Sequence, residues 1–260
     1  MKIWHMSGAG NDFLVVDARN KSLNMKNMAK KLCAQYRADG FMALDNSCIA
    51  DIKLHFYNSD GSRANMCGNG ARCICRFAFD NGIVEQKMCI ETDAGQVFGE
   101  RLSESVYKIR LNDPKNLEFD KKPGIDYVVV GVPHACVKVS ESDLTNNEKL
   151  LKIARDIRFD PVFEEGANVN FYCMTDKNTV KILTYERGVE DFTLACGTGS
   201  GAVASVLWSL QEIDFDNVTL KNQGGDLRVF IEPENDKIGS IYLEGDTEIL
   251  EKFDFFEEEL

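Results

Sequence analysis

Two stretches of the 260-residue chain read alike: Met66-Cys67-Gly68-Asn69-Gly70-Ala71 and Ala195-Cys196-Gly197-Thr198-Gly199-Ser200. Their offset is 196 − 67 = 129 residues, almost half the chain. Each follows a polar, turn-prone approach and precedes a helix-compatible run, 72–79 in the first case and 202–210 in the second. The second run, GAVASVLWSL, is apolar nearly all round, which predicts a fully buried helix. Repetition at half-chain spacing predicts a duplicated protein whose two halves are each built around one such helix.

Around these segments the chain is rich in short β-type runs, at 13–16, 52–57, 106–111, 127–130, 169–174, 180–185, 227–231 and 241–243. Turn signals such as Asn58-Ser59-Asp60-Gly61 and Asn222-Gln223-Gly224-Gly225 bound them. Two further amphipathic helices are predicted, at 25–36 and 146–157. Strands outnumber helices without strict alternation, so the class is α+β and not a doubly wound sheet. Five prolines and no low-complexity segment argue against a flexible tether between the halves. The C-terminal segment 251–260 alternates Phe with acids and reads as an added strand up to Phe256, frayed beyond it.

The charge balance, 30 Lys+Arg against 42 Asp+Glu, gives −12 and disfavours nucleic acid and anionic membranes as partners. No apolar run is long enough to span a membrane, and the start MKIWHMSGAGNDF lacks an export signal, so a cytoplasmic chain with reduced thiols is expected. Nine cysteines occur without a CxxC pair, which makes a structural zinc site a poor reading. Seven of them, Cys33, Cys48, Cys73, Cys75, Cys89, Cys136 and Cys173, read as packing residues.

Cys67 and Cys196 read differently. A Cys-Gly-x-Gly at a helix start sits in the field of free N–H groups and the positive end of the helix dipole, which favours an anion and lowers a thiol pKa. Two such segments supply two thiols and two sets of N–H donors. A carboxylate held between helix ends would then have one thiol on each side of its adjacent carbon. A thiolate on one face removes a proton while a thiol on the other delivers one, which inverts a stereocentre. Such a pair titrates as a coupled unit.

Ser7-Gly8-Ala9-Gly10-Asn11-Asp12-Phe13, Asn58-Ser59-Asp60-Gly61-Ser62 leading to Cys67-Gly68-Asn69-Gly70-Ala71-Arg72, and Glu186-Arg187-Gly188 leading to Cys196-Gly197-Thr198-Gly199 together resemble the diaminopimelate epimerase family. The resemblance runs from residue 7 to about Phe253. It implies two pseudo-symmetric halves, each a curved, mostly antiparallel sheet wrapped around a central helix, with the active site in the cleft between them. It divides the chain into 1–114, joined by a C-terminal strand at about 247–260, and 115–246. It implies epimerisation at an amino acid α-carbon with no pyridoxal phosphate, other cofactor or metal, most simply LL- to meso-diaminopimelate, in a homodimer.

Carried over by motif, Cys67 and Cys196 resemble the two acid/base residues. Gly68-Asn69 and Gly197-Thr198 stand where backbone N–H groups hold the reacting carboxylate. Asn11, Asn58 and Asn168 resemble substrate-contacting asparagines, and Glu186 and Arg187 the pair near the amine and the far carboxylate. His134, in Gly131-Val132-Pro133-His134, matches an auxiliary Pro-His element. Two positions depart from the pattern. Val132 stands where many members carry Asn, and Tyr36-Arg37 precedes Ala38-Asp39-Gly40 where small residues are usual. Arg37 would bring a bulky charge toward the distal group if it reaches the site. The departures leave open a racemase of another amino acid, such as histidine, on the same scaffold. Outside this class stand a Cys-His hydrolase and a carboxylate-binding module, neither of which needs two matched thiols.

Overall fold

The computed structural model describes residues 1–213 and 217–256. The chain divides into two compact units, Met1–Ile109 with Gly245–Leu260, and Arg110–Glu244.

In the first unit the order is β1 (Lys2–Gly8), β2 (Asn11–Asp17), α1 (Met25–Tyr36), β3 (Gly40–Asp45), β4 (Ile52–Asn58), β5 (Arg63–Ala64), α2 (Gly68–Asp80), β6 (Lys87–Thr92), β7 (Gly95–Arg101) and β8 (Val106–Arg110). The second unit runs β9 (Lys115–Lys122), β10 (Ile125–Val130), β11 (Val132–Lys138), α3 (Asn147–Arg158), β12 (Asn168–Asp176), β13 (Thr179–Glu186), β14 (Asp191–Thr193), α4 (Gly197–Ser209), β15 (Val218–Asn222), β16 (Gly225–Glu234) and β17 (Lys237–Asp246). Finally β18 (Glu248–Asp254) adds antiparallel to β1.

The same connectivity occurs twice. A hairpin (β1–β2, β10–β11) leads through an outer helix to a parallel join (β2–β3, β11–β12). An antiparallel pair (β3–β4, β12–β13) then precedes the inner helix, after which the chain rejoins in parallel (β4–β6, β13–β15). Even the outermost strands correspond: β18 flanks β1 as β9 flanks β10. Each unit is therefore α+β, a mostly antiparallel sheet wrapped on a central helix, and the two are pseudo-symmetric.

Two-sided burial follows from the sequence. In β2, Leu14 and Val16 pack with Met28, Ala29, Leu32 and Cys33 of α1, while Phe13 faces Gly70 of α2. This is why 13–16 is a continuous apolar run and not an alternating one. Trp4 of β1 meets Phe77 of α2 edge-to-face at 5.1 Å, a pair worth about 1 kcal/mol beyond its area. The outer helices show one apolar stripe, Leu150, Ala154 and Ile157 in α3. The inner helices are buried nearly all round, as GAVASVLWSL predicts for α4.

Both inner helices start one turn earlier than the 72–79 and 202–210 readings, at Gly68 and Gly197. Glycine's low helix propensity hides that turn in the sequence, whereas burial imposes it in the fold. The C-terminal strand ends at Asp254, and Phe255 closes on Met1 through hydrogen bonds in both directions, Met1 N to Phe255 O at 2.5 Å and Phe255 N to Met1 O at 2.7 Å. The fraying expected beyond Phe256 concerns residues outside the described set.

Candidate active site

Cys67 is the N-cap of α2, with extended backbone at φ −134° and ψ 126°, and its carbonyl accepts the first helical bond from Ala71 N at 2.8 Å. Gly68, Asn69 and Gly70 form the first turn, whose N–H groups have no intrahelical acceptor by construction. Close packing is needed to bring this turn against β1. A Cβ on Gly8 would lie 2.9 Å from Asn69 O and 3.1 Å from Cys73 Sγ, so only glycine fits there.

A directed chain of hydrogen bonds runs through this half. Asp39, from the α1–β3 loop, accepts from Asn11 Nδ2 at 3.2 Å and from Asp12 N at 3.0 Å. Because a carboxylate only accepts, Asn11 presents its Oδ1 the other way, where Asn69 Nδ2 donates at 2.7 Å. Asn69 Oδ1 in turn accepts from Arg72 Nη2 at 2.9 Å. Asn58 ends β4 beside these loops: Ser59 N donates to Asp39 O at 3.2 Å, and Asn58 Nδ2 donates to Ser62 Oγ at 2.9 Å. The structure thus joins Asn11 to Asn69 beside Cys67 at the start of α2, with Asn58 linked to Asp39 through its neighbour Ser59. Arg37 is exposed at the left-handed C-cap of α1, φ 56°.

Cys196 caps α4 in the same way, at φ −121° and ψ 111°, with Ser200 N donating to its carbonyl at 2.9 Å. Its thiol is buried, accepts from Gly199 N at 3.3 Å and lies 3.5 Å from Thr198 Oγ1. Behind it stands Asn170 of β12. Asn170 Nδ2 donates to His134 Nδ1 and to Ala135 O, both at 3.2 Å, and Oδ1 accepts from Thr184 Oγ1 at 3.0 Å. His134 Nδ1 is therefore an acceptor and the proton sits on Nε2, which is buried without a partner among the described residues. Complete burial, with the Arg187 charge nearby, pushes His134 down to about 3, so the ring is neutral.

The Glu186-Arg187 turn is fastened from both sides. Asn168 Oδ1 accepts from Arg187 N at 2.8 Å, and Arg187 Nη1 donates to Glu165 O at 2.8 Å. Glu190, itself at φ 59°, accepts from Gly188 N at 3.0 Å, Tyr185 OH at 3.2 Å and Arg158 Nε at 3.2 Å. Burial raises the Glu186 carboxyl above its ordinary range, opposed by the neighbouring Thr193 hydroxyl, which makes no hydrogen bond of normal geometry. At the β10–β11 turn Gly131 lies against Thr198, placing half-buried Val132 near the start of α4.

Of the seven other cysteines, Cys48 is exposed, which corrects its reading as a packing residue, and the other six are buried or partly buried. Burial pushes Cys33, Cys73 and Cys75 up to about 12 and raises Cys89, Cys136 and Cys173 as well, so all six are protonated packing thiols at neutral pH. Among the described residues no group of His, Cys, Asp and Glu has the arrangement of a metal site. No helix there is long and apolar enough to cross a membrane.

Four functional-looking residues escape sequence reading as such: Arg72, Asp39, Asn170 and Glu190. Only Asn170 had a usable signal, since Asn168 and Asn170 share one face of a strand whose other residues are apolar up to Met174.

A duplicated α+β chain with a cysteine capping each of its two inner helices has the architecture of the pyridoxal-phosphate-independent racemases and epimerases, a class of isomerases. Among solved structures it resembles a phenazine biosynthesis protein of the PhzF family from Bacillus anthracis, with a TM-score of 0.74, 18% identity, and 98% and 99% of the two chains covered. It is also similar to a probable proline racemase from Agrobacterium radiobacter K84, with a TM-score of 0.72, 15% identity, and 98% and 93% covered. At these identities the likeness is one of fold. The family is set by sequence: the chain belongs to the diaminopimelate epimerase family, whose profile matches residues 3–105 and 127–250. A diaminopimelate epimerase from Aquifex aeolicus is 40% identical over 228 residues, covering 79% of this chain and 81% of that one. One from Alkaliphilus metalliredigens is 32% identical over 94% of both. Membership makes the chain an isomerase and sets aside the hydrolase and binding-module readings.

Proposed function

We propose that this protein converts LL- to meso-diaminopimelate by two-base proton transfer through Cys67 and Cys196. The observation that carries the reading is the pair of cysteine caps on two buried, glycine-started helices within a chain of this family. One cysteine as thiolate removes the α-proton, and the other as thiol returns a proton to the opposite face. Reversing the two protonation states runs the reaction backward. Charge that develops on the α-carboxylate as the C–H bond breaks is met by N–H groups of Gly68-Asn69 and Gly197-Thr198 and by the helix dipoles, where such donors act most strongly.

Glu186 and Arg187 take the amine and the distal carboxylate, with Asn11, Asn58 and Asn168 orienting them. Neutral, buried His134 serves as a positioning residue through Asn170. Val132 offers the distal end no hydrogen bond, so Arg187 carries its recognition. The functional form in this reading is a cytoplasmic homodimer.

The experiment is incubation in heavy water with LL- and meso-diaminopimelate, histidine, lysine, glutamate and proline, reading α-deuterium uptake and optical inversion. Exchange with diaminopimelate alone is expected, with a bell-shaped pH–rate profile and a loss of about 10²–10⁴ in rate for Cys67→Ser or Cys196→Ser. Exchange with histidine but not diaminopimelate moves the substrate to the alternative racemase. No exchange with any α-amino acid overturns the function.

A further inference from the structure

The two cysteine-capped helices differ five residues after the cap, where 67 + 5 is Arg72 and 196 + 5 is Gly201. Arg72 is completely buried, the largest such side chain among the described residues. Its side chain runs back toward the helix start, as helical side chains do, and donates to Gly68 O at 3.4 Å and to Asn69 Oδ1 at 2.9 Å. Both acceptors are neutral. Among the described residues its Nε has no partner, and no ion pair is formed by its guanidinium. A guanidinium keeps its charge in proteins, so a buried positive charge stands at the base of the first turn of α2 with only neutral acceptors in hydrogen-bond reach among the described residues.

What could balance it is narrow. Burial works against its charge, and the groups whose negative charge would support it are, in order of effect, Cys73, Cys67, Cys75 and Asp246, the last a carboxylate that also accepts from Ser105 Oγ at 3.1 Å. Around them, Asp12 on β2, with His5 of β1 3.7 Å away, and Arg76 on α2 act on Cys73. From β3 and β7 the nearest packing on α2 is Met42 and Gly99, which carry no charge. Cys73 and Cys75 are buried thiols pushed up to about 12 and do not ionise. Cys67, half-buried at the cap, is the residue next to Gly68, whose carbonyl Arg72 Nη1 holds at 3.4 Å. In α4 the corresponding position admits no side chain at all: a Cβ on Gly201 would lie 2.8 Å from Leu111 Cδ1 and 3.2 Å from Ile241 Cδ1. Nor does α4 carry any charged residue between Gly197 and Ser209.

We propose that Arg72 is a positioning residue that holds Cys67 as the thiolate in the resting enzyme, leaving the proton of the pair on Cys196. The proposal rests on the two-base reading of the preceding section and adds to it an order: Cys67 is the resting base and Cys196 the resting acid. The helix dipole and the first-turn N–H groups favour an anion at both caps, and Arg72 breaks the tie. Its hydrogen bond to Asn69 also couples that charge, through Asn11, to Asp39.

The test reads thiol ionisation without substrate. Alkylation rates at Cys67, Cys196 and exposed Cys48 are followed by peptide mass spectrometry against pH, using iodoacetamide, in the full-length wild type, Arg72→Met and Arg72→Lys. In the wild type the Cys67 midpoint should fall below that of Cys196 and below the ordinary thiol value of about 8.5. Arg72→Met should raise the Cys67 midpoint by one pH unit or more, a tenfold loss of thiolate at neutral pH, with exposed Cys48 unmoved. Arg72→Lys, which keeps the charge, should stay near the wild type. A midpoint unchanged in Arg72→Met, or a Lys variant displaced as far as the Met variant, reduces Arg72 to packing and overturns the proposal. Should the Met variant fail to fold, the order of Cys67 and Cys196 in the wild type still decides: equal or reversed midpoints overturn it. Failure of every amino acid to exchange its α-proton would remove the proposed function while leaving these midpoints readable.

Discussion

Glu186 ends β13 half-buried, with no cation paired to its carboxylate among the described residues, and burial raises its pKa above 4.5. The folded state therefore holds this proton more tightly than the unfolded chain does. Stability from this group is unaffected below pH 4.5 and falls as pH rises through the raised folded value, so at neutral pH the charged form is a cost. Replacing Glu186 by Gln removes that cost. The variant should melt at a higher temperature than the wild type at pH 7–8, with the gap closing as pH falls and vanishing below about 4.5, while epimerase activity drops by at least about 10²-fold. Calorimetry across pH checks the first part and deuterium exchange the second. A gap of constant size at every pH would show that Glu186 is not strained by burial. A site that stores such strain trades stability for function. The residue itself was legible from its motif, but its strain was not, because burial is a property of strands β13 and β14 together.

Elements tell the same story through glycine. The matched Gly70 and Gly199 occupy equivalent turns, yet their surroundings differ. A Cβ on Gly70 would meet Met42 Sδ at 3.0 Å and Phe13 at 3.5 Å, and a thioether at the end of a flexible chain can move. A Cβ on Gly199 would collide with Asn170 Oδ1 and come within 3.1 Å of Thr184 Oγ1, both fixed by their mutual hydrogen bond and by His134. Gly70→Ala should therefore cost about 1 kcal/mol or less, whereas Gly199→Ala should cost about 1–3 kcal/mol. Because Gly199 N also donates to Cys196 Sγ, the second variant should lose most activity and the first little. Thermal melts and exchange rates on the two variants test the asymmetry, and equal effects would refute it. The motif and its helices were legible because period and composition are local. The polar strand β9 was not: its residues are mostly exposed, and only pairing to β10 makes them a strand. Nor was the Asp39–Asn11–Asn69–Arg72 chain, whose links span 28 and 58 residues of sequence.

At the scale of the molecule, one unit is continuous in sequence and the other is not. Arg110–Glu244 is a single segment, while the first unit needs both Met1–Ile109 and the return after Gly245. The return closes on its unit at specific points. Strand β18 covers β1 from Lys2↔Asp254 to Ser7↔Glu248, Phe253 stacks on Tyr36 at 4.4 Å, and Thr247 O accepts from Arg76 Nη1 at 2.5 Å. Without it β1 becomes an open edge, Ile3 loses neighbours in its core cluster, and the buried Arg76 loses its carbonyl partner. These contacts also join residues more than 170 positions apart, Arg76 to Thr247 across 171 and Met1 to Phe255 across 254, so forming them requires closing the longest loops in the chain. A chain ending at Glu244 should then keep a protease-resistant core within 110–244 while 1–109 is cut rapidly, as read by limited proteolysis with mass spectrometry. Because Cys67 lies in the unit that opens, its alkylation should lose the pH dependence imposed by Arg72 and follow an ordinary thiol, while Cys136 and Cys173 in the closed unit stay protected. Protection of both segments would mean that β18 is dispensable to the first unit. Loss of both would mean that the second unit does not hold its fold without the first. Only the split outcome agrees with a first unit whose fold, and with it the surroundings of Cys67, is completed by the last strand of the chain.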